Sequence, residues 1–290
     1  IIPISYTQDT AGPMSRTVRD AATLLGVITG LDLTDAKTKK SIGKYHKDYT
    51  KFLNKNGLSD KRIGYIKTME GKNHRLDELM QLAIKDLKEN GATIIELDNI
   101  IINNPNEIGA EQNSLEVMAY EFKTGLKIYF DNLGGNAPVT DLEEVINKTM
   151  ADSIEMLYFN LERMKNAQKK GDLNSKRYKD ALANMIKATR EDGIDRIMKE
   201  YDLDAIVSPT GSPAWKTDLI NGDKYYISST VYAALSGYPN INVPMGFIGN
   251  VPVGISFYGK AWSEPLLLKI AYSYEQNTNH RKAPEFLTTD

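Results

Sequence analysis

The sequence predicts an α/β protein: a mixed sheet flanked by many helices. Three observations carry that prediction. Two short β-rich runs, residues 62–66 and 93–97, bracket one amphipathic helix, the pattern of a right-handed crossover between parallel strands. Residues 107–201 then read as predominantly helical. Residues 204–258 return to strands punctuated by turn residues. No repeat recurs, and no Gly- or Pro-rich linker divides the chain into domains.

The opening loop turns at Gly12-Pro13, and Thr17 has the chemistry of a helix N-cap with Asp20 at the third position. Val18, Ala21, Ala22, Leu25 and Ile28 follow at helical spacing as one buried stripe, which Gly30 ends. Residues 32–57 are polar and lysine-rich, a loop with short helical turns. After the strand at 62–66, Leu76, Leu79, Met80, Ala83 and Leu87 line one helix face that Gly91 terminates, and 93–97 is the next strand.

In the helical middle, residues 107–132 form a segment with a break expected near Gly125. Thr140 to Glu143 has the form of a capping box and opens a long helix in which Met150, Met156 and Met164 fill core. Gly171-Asp172 separates it from a helix over 175–201. A short apolar strand at 204–208 stops at Pro209. Residues 240–243, 245–248 and 253–258 are strands, the last two joined by a Gly249-Asn250 hairpin turn. Ser263 caps a final helix with Pro265 in its first turn.

At 290 residues, with 41% hydrophobic and 26% charged, the chain can bury a substantial core. A net charge of −2 gives no general attraction for nucleic acid or anionic membrane, and the lysine runs at 37–40 and 165–170 read as solvated faces. No apolar run approaches the ~20 residues of a membrane span. The absence of cysteine excludes disulfides, thiolate metal sites and cysteine nucleophiles, and fits a cytoplasmic location.

Familiar catalytic devices are missing. There is no Gly-x-Ser-x-Gly elbow, phosphate-binding loop or dinucleotide fingerprint, and His46, His74 and His280 have surface surroundings without metal-ligand spacing. No metal or cofactor is implied. Four regions remain as candidates. Gln8 and Asp9 sit in a loop with Arg16 close by, so a buried carboxylate–guanidinium contact is one reading, and spacing by itself favours a structural role. Ser208-Pro209-Thr210 ends a strand, where open α/β sheets meet ligands. Trp215, Asp218, Asn221 and Asp223 lie in a polar loop within reach of a substrate, followed by Tyr225, Tyr226, Ser228 and Ser229. Residues 236–246 carry turn chemistry that re-aims two strands.

Several blocks in a fixed order resemble the amidase signature family. They are Gly12-Pro13-Met14-x-Arg16-x-Val18-x-Asp20-Ala21-Ala22, then Asp204 through Thr210, then Gly237-Tyr238-Pro239 with Val243-Pro244-Met245-Gly246, then Pro252 through Phe257, and last Trp262-Ser263-Glu264 through Glu275-Gln276. The Gln8-to-Pro13 wording and Trp215 through Gly222 look closest to peptide-amidase-like members. The resemblance implies the C-terminal part of an α/β/α sandwich, residues 1–290 forming a portion of one amidase domain with a helix-rich insertion at roughly 107–201. It implies hydrolysis of carboxamide C–N bonds through a lysine, a bridging serine and a nucleophilic serine, with no cofactor. The glycine- and serine-rich signature with its nucleophilic serine, and the lysine upstream of it, have no counterpart here, and no Lys or Ser matches the triad positions, so no catalytic residue is assigned. Gln8, Asp9, Ser208, Pro209, Thr210 and Trp215 are expected in the substrate-pocket wall, with Gly12, Pro13 and Arg16 structural.

The preferred expectation is the C-terminal portion of a cytoplasmic amidase acting on a small or peptide amide, inactive as this chain by itself. The chain beginning at Ile1 is read as truncated. Two alternatives stand beside it. One is a non-catalytic interaction or scaffold fragment, self-associating through apolar surface uncovered by truncation. The other is the amidase component of a transfer-RNA amidotransferase, which the near-neutral charge and the peptide-amidase-like wording disfavour.

Overall fold

The structure, a computed structural model, describes residues 1–100, 109–158 and 160–285. Strands β1 (Arg62–Ile66), β2 (Thr93–Leu97), β3 (Ala205–Pro209), β4 (Asn240–Ile248) and β5 (Val251–Tyr258) form one mixed sheet in the order β2-β1-β3-β5-β4. β1 lies between β2 and β3, parallel to both, and β5 pairs antiparallel with β3 and β4. The α-helices among the described residues are α1 (Val18–Ile28), α2 (His74–Glu89), α3 (Ala110–Leu133), α4 (Leu142–Ala151), α5 (Glu155–Tyr158), α6 (Glu162–Gln168), α7 (Lys176–Thr189), α8 (Asp195–Glu200), α9 (Thr230–Ser236) and α10 (Glu264–Thr278).

Strand alternation decides which helices lie on which face. Ile63, Tyr65, Ala205, Val207 and Phe257 pack with Ala22 of α1, Leu76, Met80 and Leu87 of α2, and Ile270 and Tyr274 of α10. Ile66, Ile206 and Tyr258 share a second cluster with Val117 of α3, Met185 of α7, Ile197 of α8 and Leu235 of α9. The result is helix–sheet–helix layering. Each fully buried Leu, Ile or Phe contributes about 1.5–3 kcal/mol relative to exposure. A satellite cluster joins α3, α4 and α6 around Leu126, Phe130, Leu142 and Ile146.

The crossover unit forms where expected. Asn73 caps α2 through the amides of Arg75 and Leu76, and Gly91, at φ 93°, supplies the left-handed exit that leads into β2. Thr17 caps α1 by accepting from the Asp20 amide.

Elsewhere the structure departs from expectation. α3 is unbroken at Gly125; the glycine admits the Pro3 ring, whose atoms would lie 3.4–3.5 Å from an added Cβ. The expected segment's first two residues, 107 and 108, fall outside the described residues. The cap near residue 140 is Asp141, not Thr140: it accepts from the Glu144 amide, while Glu144 accepts from the Thr140 amide. The long helix expected after it is three short ones, because the Asp152 carboxylate takes the amides of Ile154 and Glu155 and restarts the chain direction. Met150 and Met156 are consequently exposed, and only Met164 packs against buried residues. The expected helix over 175–201 is α7 and α8 separated by a wide turn, Arg190–Ile194, with Gly193 non-helical. β4 runs continuously through Pro244 by means of a bulge between Pro244 and Gly246. Ser263 precedes α10 without a side-chain cap; its hydroxyl donates to the Lys260 carbonyl.

Candidate substrate cleft

β1, β2 and β3 are mutually aligned, so the segments that follow them emerge at one edge of the sheet. A cleft of about 470 Å³ opens there. Thr68, Met69 and Lys72 come from the segment after β1, and Ala110, Glu111 and Gln112 from the start of α3, which follows β2 among the described residues. Tyr225, Tyr226, Val231 and Tyr232 come from the loop and helix after β3. Open α/β sheets bind ligands in this position, and the volume lies within the range of small-molecule sites.

The wall carrying the tyrosines is braced from behind. Ser229 and Ser256 are buried, and the Ser229 hydroxyl lies 2.8 Å from the Ser256 oxygen and 3.1 Å from the Thr210 carbonyl. The Thr210 hydroxyl is 3.0 Å from the Ser256 oxygen, and Thr210 further accepts the Ser229 amide. Three hydroxyls thus tie the start of α9 to the ends of β3 and β5. At the other end of α9, Arg190 Nε donates to the Ser236 carbonyl at 2.6 Å. Tyr232 stacks on Tyr258 with ring centroids 5.7 Å apart and planes 8° from parallel. Burial, and then the nearby Glu111 carboxylate, push the Tyr232 hydroxyl up to about 12, so it stays a neutral donor. Tyr226 is held by a 2.9 Å hydrogen bond from Asn73 Nδ2.

The N-terminal loop is fastened to α3 by Glu121, a fully buried carboxylate. It accepts from the Ser5 hydroxyl (2.5 Å), the Thr7 amide (3.1 Å), the Thr7 hydroxyl (2.8 Å) and the Tyr178 hydroxyl (2.7 Å). A buried carboxylate is tolerable only with such a full set of donors. Ser5 is 1% exposed, which seals its contact with Glu121 from any substrate. Among the described residues no serine hydroxyl bonds to a lysine amine or a histidine ring.

The expected pocket residues divide. Ser208, Pro209 and Thr210 lie in and just after β3; Ser208 is fully buried and receives the Tyr258 hydroxyl at 3.4 Å. They support the cleft wall and do not line it. Gln8 accepts from Ser114, one turn beyond the cleft residues of α3, and its Nε2 is buried without a partner among the described residues. Asp9 is exposed and takes the amides of Ile4 and Ser5 on one oxygen, and Arg16 is exposed as well, so the buried carboxylate–guanidinium contact is absent. Gly12 has open space about it and Pro13 is half-buried. Trp215 stands one ring behind the cleft, edge-on to Tyr225 at 6.4 Å and donating from Nε1 to Asp223. Sequence reading missed Tyr232, Met69, Ser256 and Glu121. The first two sit in turns or helix starts like many others, and Glu121 is one acid among several in its helix.

Comparison with known proteins gives the class to which this fold and cleft belong. The family profile described as "Amidase" matches residues 1–268, and the chain belongs to that family, the amidase signature enzymes. A probable amidase of Arabidopsis thaliana is 36% identical over 99% of the chain and 52% of its own length. The native peptide amidase of Stenotrophomonas maltophilia superposes with a TM-score of 0.88 at 37% identity, covering 99% of this chain and 57% of that one. An amidase family protein of Bacillus anthracis follows at 0.80 and 31%, over 99% of this chain and 52% of that one. A glutamyl-tRNA(Gln) amidotransferase subunit of Fusobacterium nucleatum is 28% identical over 96% of the chain and 56% of its own length. The chain spans about half the length of the curated relatives it matches.

Proposed function

We propose that these 290 residues supply the substrate-holding wall of a hydrolase that cleaves carboxamide C–N bonds, releasing ammonia through an acyl-serine intermediate. The observation that carries the reading is the cleft at the carboxyl edge of β1–β3 in a chain with 37% identity and a TM-score of 0.88 to a peptide amidase. The three groups such chemistry needs are a nucleophilic serine, a bridging serine and a lysine base. No serine hydroxyl bonds to a lysine side-chain amine among the described residues, so we read the 290-residue chain by itself as inactive. The test is ammonia release from a peptide C-terminal amide, with peptide amidase as the reference. Turnover by this chain within about tenfold of the reference would overturn the reading of inactivity.

In this reading the chain is one portion of a single amidase domain, with the helix-rich stretch as an insertion, in a cytoplasmic enzyme. The amidotransferase alternative draws support from the Fusobacterium relative, at lower identity than the peptide amidase. Self-association is proposed on one further observation. Leu24, Val27 and Ile28 on α1, and Leu31 just beyond its end, are all more than a third exposed. Light scattering that gives a strict monomer at high micromolar concentration would remove that proposal.

A further inference from the structure

We propose that the cleft selects an aromatic acyl group, so that amides of phenylalanine-like acids bind in preference to those of small aliphatic acids. The inference rests on the amide-cleft reading and deepens it by naming the group that enters.

Three tyrosines line the cleft: Tyr232 is packed in place, while the exposed Tyr226 and Tyr225 each keep one side-chain partner. Tyr232 is backed by the parallel ring of Tyr258. Tyr226 is tethered by Asn73, whose own oxygen is engaged in capping α2. Tyr225 meets the edge of Trp215, and the Trp215 indole is in turn held by Asp223. A ring packed as Tyr232 is loses little further freedom on binding. Met69 and Val231 line the same cleft, and a thioether beside aromatic rings favours another ring. An incoming aryl group meets faces and edges suited to offset or edge-on contact; a methyl group would leave most of the cleft wet. Lys72 and Glu111 bring opposite charges to the lining, so the site exerts no net pull for an ionic head.

The experiment uses the full 290-residue chain carrying Trp262→Phe, which leaves Trp215 as the sole indole. Trp215 emission is titrated with N-acetyl-phenylalaninamide, N-acetyl-alaninamide and 2-phenylethanol. Phenylalaninamide is expected to bind about tenfold or more tightly than alaninamide, the order of one well-placed aromatic contact with its buried area. Tyr232→Phe should keep that ratio, and Tyr232→Ala should shrink it. Tyr226→Ser, at a more exposed position, repeats the test should Tyr232→Ala fail to fold. Equal affinity for the two amides, a ratio that survives both truncations, or no saturable binding by any of the three compounds would overturn the proposal. Saturable binding of 2-phenylethanol with no gain from the amide group would uphold aromatic selection and sink the amide reading instead.

Discussion

Replacing Glu121 with alanine tests whether one carboxylate holds the N-terminal loop in place. In the native structure it satisfies four donors: the Ser5 hydroxyl, the Thr7 amide and hydroxyl, and the Tyr178 hydroxyl. Hydrogen bonds to a charged partner are worth about 1.5–3 kcal/mol each, but they do not simply add. Two donors find substitutes in the variant. The Ser5 and Thr7 hydroxyls are 3.3 Å apart, and so are those of Tyr6 and Tyr178. The Thr7 amide and one of the Ser5 and Thr7 hydroxyls have no such alternative and are left unpaired, beside the cavity of the lost side chain. The net loss is therefore expected near 3–5 kcal/mol, from buried donors left unpaired together with the cavity of the truncated side chain. Glu121→Gln keeps one acceptor for Ser5 and Thr7, and Tyr178 can rotate to accept from the new amide, so it should cost only about 1–2 kcal/mol. Urea unfolding followed by circular dichroism gives both values, and hydrogen exchange at Thr7 reports whether the loop opens first. A Glu121→Ala loss below about 1 kcal/mol with an unchanged m-value would refute the account of the loop's attachment.

Gly26→Ala should destabilise by about 2 kcal/mol or more, although alanine is the better helix former by about 1 kcal/mol, because the added methyl would run into the Lys47 carbonyl; thermal denaturation decides the sign. Glu264 has its carboxyl raised above the ordinary 4.5 by burial, so its charged form weakens the fold at neutral pH. Glu264→Gln is expected to stabilise above the raised value, and the gain should vanish below pH 4.5, where the native carboxyl is protonated in both folded and unfolded chains. Urea midpoints across pH 3–8 check this. Asn73→Ala removes the α2 cap together with the tether on Tyr226 and should cost about 1–2 kcal/mol; it should also raise the Tyr226 exchange rate between ring environments seen by NMR.

The crossover unit was legible because local signals and tertiary packing agree there: alternation in β1, an apolar stripe in α2, and Gly91 at the exit. Gly125 misled because a glycine in a helix can mark a break or a close approach, and only the position of Pro3 distinguishes them. Met150 and Met156 were misplaced because Asp152 turns the chain before they reach a core. Pro244 suggested two strands; the bulge absorbs it within one. The family blocks include the segment after β3, but not the residues that line the cleft. Thr210, Ser229 and Ser256 come from separate elements, and nothing in the spacing of three hydroxyl residues announces that they meet. Tyr232 gains its role from Tyr258 on a later strand.

With only seven residues, α9 is too short to persist as a helix in water. Its shape is lent by anchors at either extremity, the serine–threonine knot at one and the Arg190 guanidinium at the other. It therefore behaves as a beam spanning two supports. Loosening the far support at Arg190 is expected to tilt the ring of Tyr232, so variation in the α7–α8 turn reaches the cleft lining through α9 without touching it.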